Sequence, residues 1–400
     1  MRRAIELAKK GRGFVNPNPL VGAVIVKDGR IIGEGYHTRY GELHAEREAL
    51  KSLRESAEGA DIYVTLEPCC HHGKQPPCTE AIVESGIRRV FVGSPDPNPL
   101  VRGKGLKFLR EHGIEVFTDV LREECDALNP VFFKYITRKI PYVIYKYAMT
   151  LDGKTACYTG DAKWVSNDLS RNFTQDMRGE CMSIMAGIGT VLADDPMLNA
   201  RKEGLRQPVR LICDSGLRIS AESKLVQSAG DYPLWILASE NLSEEGKRKK
   251  AQLEASGAEV ILLPEEGYAS GMSGEESRGA EPPEGSQKEY GAGAPADVIN
   301  VRTGRLSLTA ALRVLGERGI DSILLEGGGT LAWSFMEQNL IDEIRVFIAP
   351  KLFGGENAAS PVRGEGIDKA ALAPAFHPVE SRWLGEDLYV RYVKDVYRDH

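Results

Sequence analysis

The chain lacks any apolar run near the roughly 20 residues that a membrane-crossing helix needs, and no basic-then-apolar leader opens it. Cysteine is sparse and odd in number: Cys69, Cys70, Cys78, Cys125, Cys157, Cys181 and Cys213 are scattered over 400 residues. Small secreted folds held by disulfides are far denser in cysteine, so reduced thiols with one local cluster are expected. Positive charge is short as well. Lys+Arg 51 against Asp+Glu 57 leave a net charge of −6, whereas nucleic-acid-binding surfaces carry a basic excess. These absences set the expectation of a cytoplasmic protein with neither membrane nor nucleic acid as partner. A local basic pocket for a small phosphate ester stays allowed. MRRAIELAKKG reads as a helix entered without a capping residue, so Met1 is not expected to be the natural start.

What is present suits two domains, each able to bury its own core. Residues 1–138 alternate helix and strand. IELAKKG is a helix closed by Gly11, and LVGAVIVKDGRIIGEGYH is a hairpin turning at Asp28-Gly29. HAEREALKSL, TEAIVESG and LKFLREHG follow as helices between the strands DIYVTLEP, RRVFVGSPDP and IEVFTDV. The pattern predicts a three-layer α/β domain with a mixed sheet. Pro141 then breaks the chain, and VIYKYAMT opens a second unit over 141–400. SIMAGIGT, PVRLICDS, PLWILAS, EVILL, SILLEGG and EIRVFIAP read as strands of a largely parallel sheet, and GEDLYVRYV as a late one. Residues 264–296, rich in Gly, Ser, Pro and Glu, have almost no apolar anchors and are expected to form a flexible insertion.

The chemistry gathers where His44-Ala45-Glu46 opens a helix, Pro68-Cys69 ends a strand and Cys78 begins another helix. One imidazole and two thiolates form a set suited to tetrahedral zinc. Three ligands leave a fourth position for a water that zinc acidifies to a pKa of about 7. Glu46, two residues past a ligand, suits a proton carrier between that water and a leaving amine. The pattern matches the H-x-E…P-C-x-x-C signature of zinc nucleobase deaminases except that the second cysteine comes late, after CHHGKQPP. The competing reading is a structural site closed by His71 or His72 as a fourth ligand.

HAE, EPCCHHGKQPPC, NPNPLVGAVIV and DPNPLVRGKG together resemble the deaminase half of the bifunctional riboflavin-biosynthesis deaminase/reductase family, in which the longer inter-cysteine loop is usual. The resemblance continues through YKYAMTLDGKTA, TGDAKWVS, GIGTVLADDPMLNAR, LLEGGGTL and APKLFGG. It implies an N-terminal cytidine-deaminase-like domain and a C-terminal dihydrofolate-reductase-like domain, with one zinc ion in the first and NADPH in the second. It implies deamination of a phosphorylated ribosylaminopyrimidine, then reduction of its ribose to a ribityl chain, by an enzyme expected to be a homo-oligomer. Asn16 becomes a candidate for the pyrimidine edge, since a carboxamide both donates and accepts, although loop asparagines often serve turns. His71 and Lys74 become candidates for the phosphate.

In the second half the resemblance carries cofactor contacts onto Ala148, Trp164, Thr190, Asp194, Gly328, Gly329 and Thr330, with Ser215 a weaker candidate after its strand. It carries substrate contacts onto Arg178, Leu198, Arg201 and Glu326. Two guanidinium groups in an acidic chain suit a substrate phosphate, unless they make ion pairs instead. Ala162 stands where the family commonly has a serine in contact with substrate, which puts that one contact in doubt. Gly327, Gly329 and Ala332 fit G-x-G-x-x-A, but lie near the chain's end rather than after a first strand, so no Rossmann fold is expected.

Overall fold

The computed structural model describes residues 1–71, 76–266 and 305–394. Helix α1 (Arg2–Ala8) leads into strands β1 (Gly22–Lys27) and β2 (Arg30–Tyr36), joined through Asp28 and Gly29 in left-handed conformation. Helix α2 (Ala45–Lys51), β3 (Asp61–Leu66), α3 (Cys78–Glu84), β4 (Arg89–Ser94), α4 (Lys104–Glu111) and β5 (Glu115–Phe117) follow. Two further helices, α5 (Arg122–Asp126) and α6 (Pro130–Arg138), were not evident in the sequence pattern. The five strands order as β2-β1-β3-β4-β5, with β1 antiparallel to its neighbours and the rest parallel.

One face of this sheet (Ile25, Ile62, Val64, Val90) packs on Ala45, Ala49, Ile82 and Leu109 of the following helices. The other receives Ala4 and Leu7 of α1 against Val24. Helix α2 lies almost directly on the backbone. A Cβ at Gly35 would stand 2.3 Å from Ala49 N and 2.5 Å from Ala45 O, so glycine there brings the helix that follows His44 down onto the sheet.

The second sheet begins at β6 (Tyr142–Thr150). After α7 (Asp168–Glu180) come β7 (Ser183–Gly187), α8 (Ile188–Asp194), β8 (Val209–Cys213), α9 (Lys224–Gln227), β9 (Leu234–Ser239), α10 (Glu244–Ala255) and β10 (Glu259–Leu263). Then α11 (Leu308–Glu317), β11 (Ser322–Glu326), α12 (Gly329–Glu337), β12 (Glu343–Ala349), β13 (His377–Leu384) and β14 (Asp387–Val393) complete it. The order is β10-β9-β8-β7-β11-β6-β12-β14-β13. Its strands are parallel from β10 to β12, and β14 and β13 close it antiparallel. Successive residues of β6, β7 and β11 enter cores on opposite faces, which is why these strands read as unbroken apolar runs. Strand β13 escaped the sequence pattern because it is exposed along nearly its whole length and shows no apolar alternation.

The stem of the expected insertion is an antiparallel bridge, Glu265 to Leu306. Most of the 264–296 segment, and Lys74, lie outside the described residues. The two sheets are tied together. Lys134 Nζ of α6 donates to Asp342 Oδ2 at 2.6 Å with both side chains buried, and Asn16 Nδ2 donates to Asp321 Oδ2 at 2.6 Å. Among the described residues no helix is long and apolar enough to cross a membrane.

Candidate functional site

His44 sits at the N-cap of α2, Cys69 follows β3, and Cys78 is the first residue of α3. Their donor atoms all lie within 4.8 Å of one another. His44 Nδ1 is 3.5 Å from Cys69 Sγ and 3.4 Å from Cys78 Sγ. Zinc bonds of about 2.3 Å to sulfur and about 2.05 Å to nitrogen, set at the tetrahedral angle, would place those atoms about 3.5 Å apart. The donor set therefore fits zinc. Arg47 donates to the carbonyls of Pro76 (3.2 Å) and Pro77 (2.9 Å), pinning the run before Cys78 to α2. Among the described residues no fourth donor joins the three; His71 lines the neighbouring cavity instead.

Hydrogen bonding from Cys78, with further help from His44, lowers the Cys69 thiol well below its ordinary value, while the bond to Cys69 raises Cys78. A set so ready to hold a thiolate suits a cation. Glu46 is buried in the first turn of α2, and burial, then the Cys69 sulfur, raise its carboxyl to about 7. That is the range in which a carboxyl passes protons both ways near neutral pH.

A cavity of about 300 Å³ opens on this centre, lined by Asn18, His37, His44, Glu46, His71 and Asp96 among others. Asn16 is absent from its walls. Its amide is turned away and bonded to Asp321, and Asn18, two residues on, faces the cavity in its place. A two-residue offset in the NPNP loop changes the facing direction without changing the motif, so the sequence does not separate Asn16 from Asn18. Sequence reasoning also missed Asp96, which burial raises to about 7, and Glu67. The Glu67 carboxylate accepts from the backbone N–H groups of Gly103 and Gly105 at 3.1 Å each, and so holds the DPNPLVRGKG loop against the pocket. That motif was visible in the sequence; its anchor, 36 residues away from Gly103, was not.

In the larger sheet β7 leads away toward β8 and β11 leads the other way toward β12, so a crevice opens between their carboxyl ends. Thr190, in the first turn of α8, stands against Gly327 and Gly328 there. Gly327 and Gly328 both have φ of +76°, and Gly328 caps α12, leaving backbone N–H groups at the crevice. A Cβ at Gly329 would stand 2.9 Å from Ser360 O and from Arg363 Cγ. This glycine-lined cradle fits a pyrophosphate-bearing cofactor. Ala148 lies on β6, beside β11 and opposite Phe347. Ser215 follows β8, the strand beside β7. Asp194 ends α8 in solvent, and Thr330 is exposed at the start of α12.

Glu326 ends β11 and forms a two-pronged ion pair with Arg178 of α7, both contacts 2.8 Å. Burial alone would raise Glu326, but the charge and hydrogen bonds of Arg178, then Lys146 and Arg201, lower it. Arg178 also donates to Asn199 O at 2.9 Å. Its fork is thus engaged in the ion pair that the sequence left open as the alternative, while Arg201 is exposed. Leu198 is buried. Ala162 and Trp164 lie exposed in the loop before α7, with the Arg171 guanidinium 4.4 Å over the Trp164 ring.

Comparisons with known proteins cover both halves of the chain. Residues 1–94 match the zinc-binding region of cytidine and deoxycytidylate deaminases, and residues 141–390 match the RibD C-terminal domain. The riboflavin biosynthesis protein RibD of Actinobacillus pleuropneumoniae is 44% identical over 98% of this chain and 94% of its own length. The solved structure of Acinetobacter baumannii RibD superposes with a TM-score of 0.79 at 32% identity, covering 98% of this chain and 97% of that one. A Thermotoga maritima diaminohydroxyphosphoribosylaminopyrimidine deaminase/5-amino-6-(5-phosphoribosylamino)uracil reductase gives 0.77 at 36%, with the same coverage. A metal centre beside a buried carboxyl, a glycine-lined crevice in a second sheet and full-length likeness lead to one conclusion: the chain belongs to the RibD family of bifunctional deaminase/reductases of riboflavin biosynthesis.

Proposed function

We propose that residues 1–138 deaminate 2,5-diamino-6-(5-phosphoribosylamino)pyrimidin-4-one and that residues 141–400 reduce the ribose of the product with NADPH. The observation that carries the first half is the three-donor centre with Glu46 buried beside it. His44, Cys69 and Cys78 would hold the zinc ion, whose acidity would make a water nucleophilic at neutral pH. Glu46 accepts that water's proton on its carboxylate and returns it to the departing amine nitrogen, so ammonia leaves and a carbonyl remains. Asn18, Asp96 and His71 line the cavity beside this centre; in this reading the first two take the ring and His71 takes the phosphate.

In the reductase half the bound NADPH would supply a hydride to the anomeric carbon of the ring-opened imine, whose C=N bond becomes C–N as its nitrogen takes a proton from water. The cradle of Thr190 and Gly327 to Thr330 would hold the cofactor's pyrophosphate, and Ala148, Trp164, Asp194 and Ser215 would supply its further contacts. Arg201 meets the substrate phosphate, while Arg178 keeps Glu326 ionised and aimed. Reduced thiols and NADPH suit the cytoplasm. The bare β13 edge, with Val379 and Trp383 exposed, suits assembly of like subunits.

One assay tests the whole. The phosphorylated diaminopyrimidinone is offered with NADPH while ammonia and NADPH absorbance are followed together. One ammonia released per NADPH consumed is expected. NADPH loss without ammonia, or ammonia from a nucleoside lacking the phosphate at equal rate, would overturn the reading.

A further inference from the structure

His37 lies between β2 and the start of α2 and is buried, 3% exposed, beside the metal centre. Its ring stands edge-on to His44 at 5.4 Å between centroids, yet neither of its nitrogens is among the converging donors. Both nitrogens are engaged elsewhere. Nδ1 is 3.0 Å from the carbonyl oxygen of Leu43, and Nε2 is 3.1 Å from Asn18 Nδ2. A carbonyl oxygen can only accept, so Nδ1 carries the ring hydrogen, and in the neutral ring Nε2 is then an acceptor. The group of Asn18 that meets Nε2 must therefore be its NH2. This fixes the carboxamide. Rotating it by half a turn would set oxygen against a bare ring nitrogen, two acceptors face to face.

Resting on the deaminase reading above, we propose that His37 is a positioning residue that locks Asn18 with its Oδ1 toward the cavity, so that the pocket selects a pyrimidine edge presenting an N–H there. Oδ1 has no partner among the described residues, and Asn18 is on the cavity wall. A lock of this kind costs the substrate nothing on entry, because the acceptor is already turned. It discriminates by leaving a wrong edge, one bearing a lone pair at that point, without a donor to offer.

The zinc-loaded full chain, with 15N-labelled histidine, should show His37 with its proton on Nδ1 and a bare Nε2; a proton on Nε2 overturns the proposal. His37→Phe keeps a ring of similar size against His44 but removes the acceptor. It should raise the deaminase KM about ten-fold while kcat changes less than about two-fold, as expected when one orienting hydrogen bond is lost from ground and transition state alike. Zinc content and NADPH oxidation on deaminated substrate should stay as in the unmodified chain. His37→Gln restores an acceptor oxygen and should recover part of the KM. If His37→Phe loses zinc, falls only in kcat, or matches His37→Gln in KM, His37 belongs to the scaffold of the metal site and the proposal fails. An unmodified chain that releases no ammonia would instead sink the deaminase reading, with the ring tautomer still deciding this one.

Discussion

The two sites of this chain are built on different principles. The metal centre is a matter of side-chain identity: His44 and Cys78 stand 34 residues apart, and one imidazole with two thiols at strand and helix ends states its chemistry outright. The crevice of the larger sheet is a matter of backbone. Its cradle is made by glycines with positive φ, and its charged pair joins residues 148 apart, on α7 and β11. Side-chain chemistry is local and can be read along a chain. Backbone geometry becomes visible only after strands far apart in sequence lie next to each other.

If the sites are as separate as they look, each can be broken alone. The largest effect is expected at Glu46. Glu46→Gln keeps the shape of the side chain but cannot cycle a proton. Deamination should fall by about 10²–10⁴-fold, as when a general acid–base group is lost, with zinc retained and NADPH oxidation on deaminated substrate unchanged. Ammonia release at the normal rate would remove Glu46 from the mechanism. Loss of both activities together would show that the sites are coupled.

Next comes Arg178→Met. It leaves Glu326 buried without its bidentate partner, and breaking a buried pair from one side costs about 3–5 kcal/mol. Reduction should collapse and the larger domain should melt earlier, while ammonia release at 25 °C persists. Calorimetry that shows a single unchanged transition would contradict the weight given to this pair.

Much of this division was legible beforehand. The hairpin at Asp28-Gly29, the helix after His44 and the unbroken apolar strands β7 and β11 follow from turn chemistry and periodicity. What escaped has physical causes. Strand β13 has no buried face to impose alternation. Helix α6 is short, and its burial of Phe132 and Phe133 depends on where β3 ends, at Leu66. Asn16 and Asn18 are equivalent in sequence and differ only in facing, a property of the folded loop. The pairing of Arg178 with Glu326 needed the register of β11 beside β7, which residue types alone do not give.

A smaller effect concerns the seam between the halves. Glu343 opens β12 at the cleft between the domains, paired with Arg345 at 2.6 Å and Arg391 at 2.8 Å. Burial alone would raise this carboxyl, but Arg345 and then Arg391 hold it at about 2, against 4.5 for the free group. A depressed carboxyl stabilises the fold above its unfolded pKa, and that stability is lost as pH falls through the folded value. The shift corresponds to about 3 kcal/mol, fully present above about pH 4.5 and fading toward pH 2. The melting-temperature gap between the unmodified chain and Glu343→Gln should therefore be widest at neutral pH and narrow by pH 3. A gap that is constant with pH would mean the carboxylate's charge does not matter there.

The smallest effect tests whether the cradle acts through shape. At Gly327, φ is +76° and an added Cβ would stand 3.1 Å from Thr190 Cγ2 and 3.2 Å from its Oγ1. Gly327→Ala thus combines left-handed strain, about 1 kcal/mol, with a push on Thr190. Gly319, between α11 and β11, has φ of +85° but open space around it, so Gly319→Ala imposes the strain without the push. Both variants should lose similar stability. Only Gly327→Ala should raise the KM for NADPH, by a factor of about three to ten if roughly 1 kcal/mol of binding is lost, with the deaminated substrate bound as before. If Gly319→Ala raised that KM equally, softness of the domain rather than the outline of the cradle would govern cofactor binding, and the contrast between a site of side chains and a site of backbone would lose its second member.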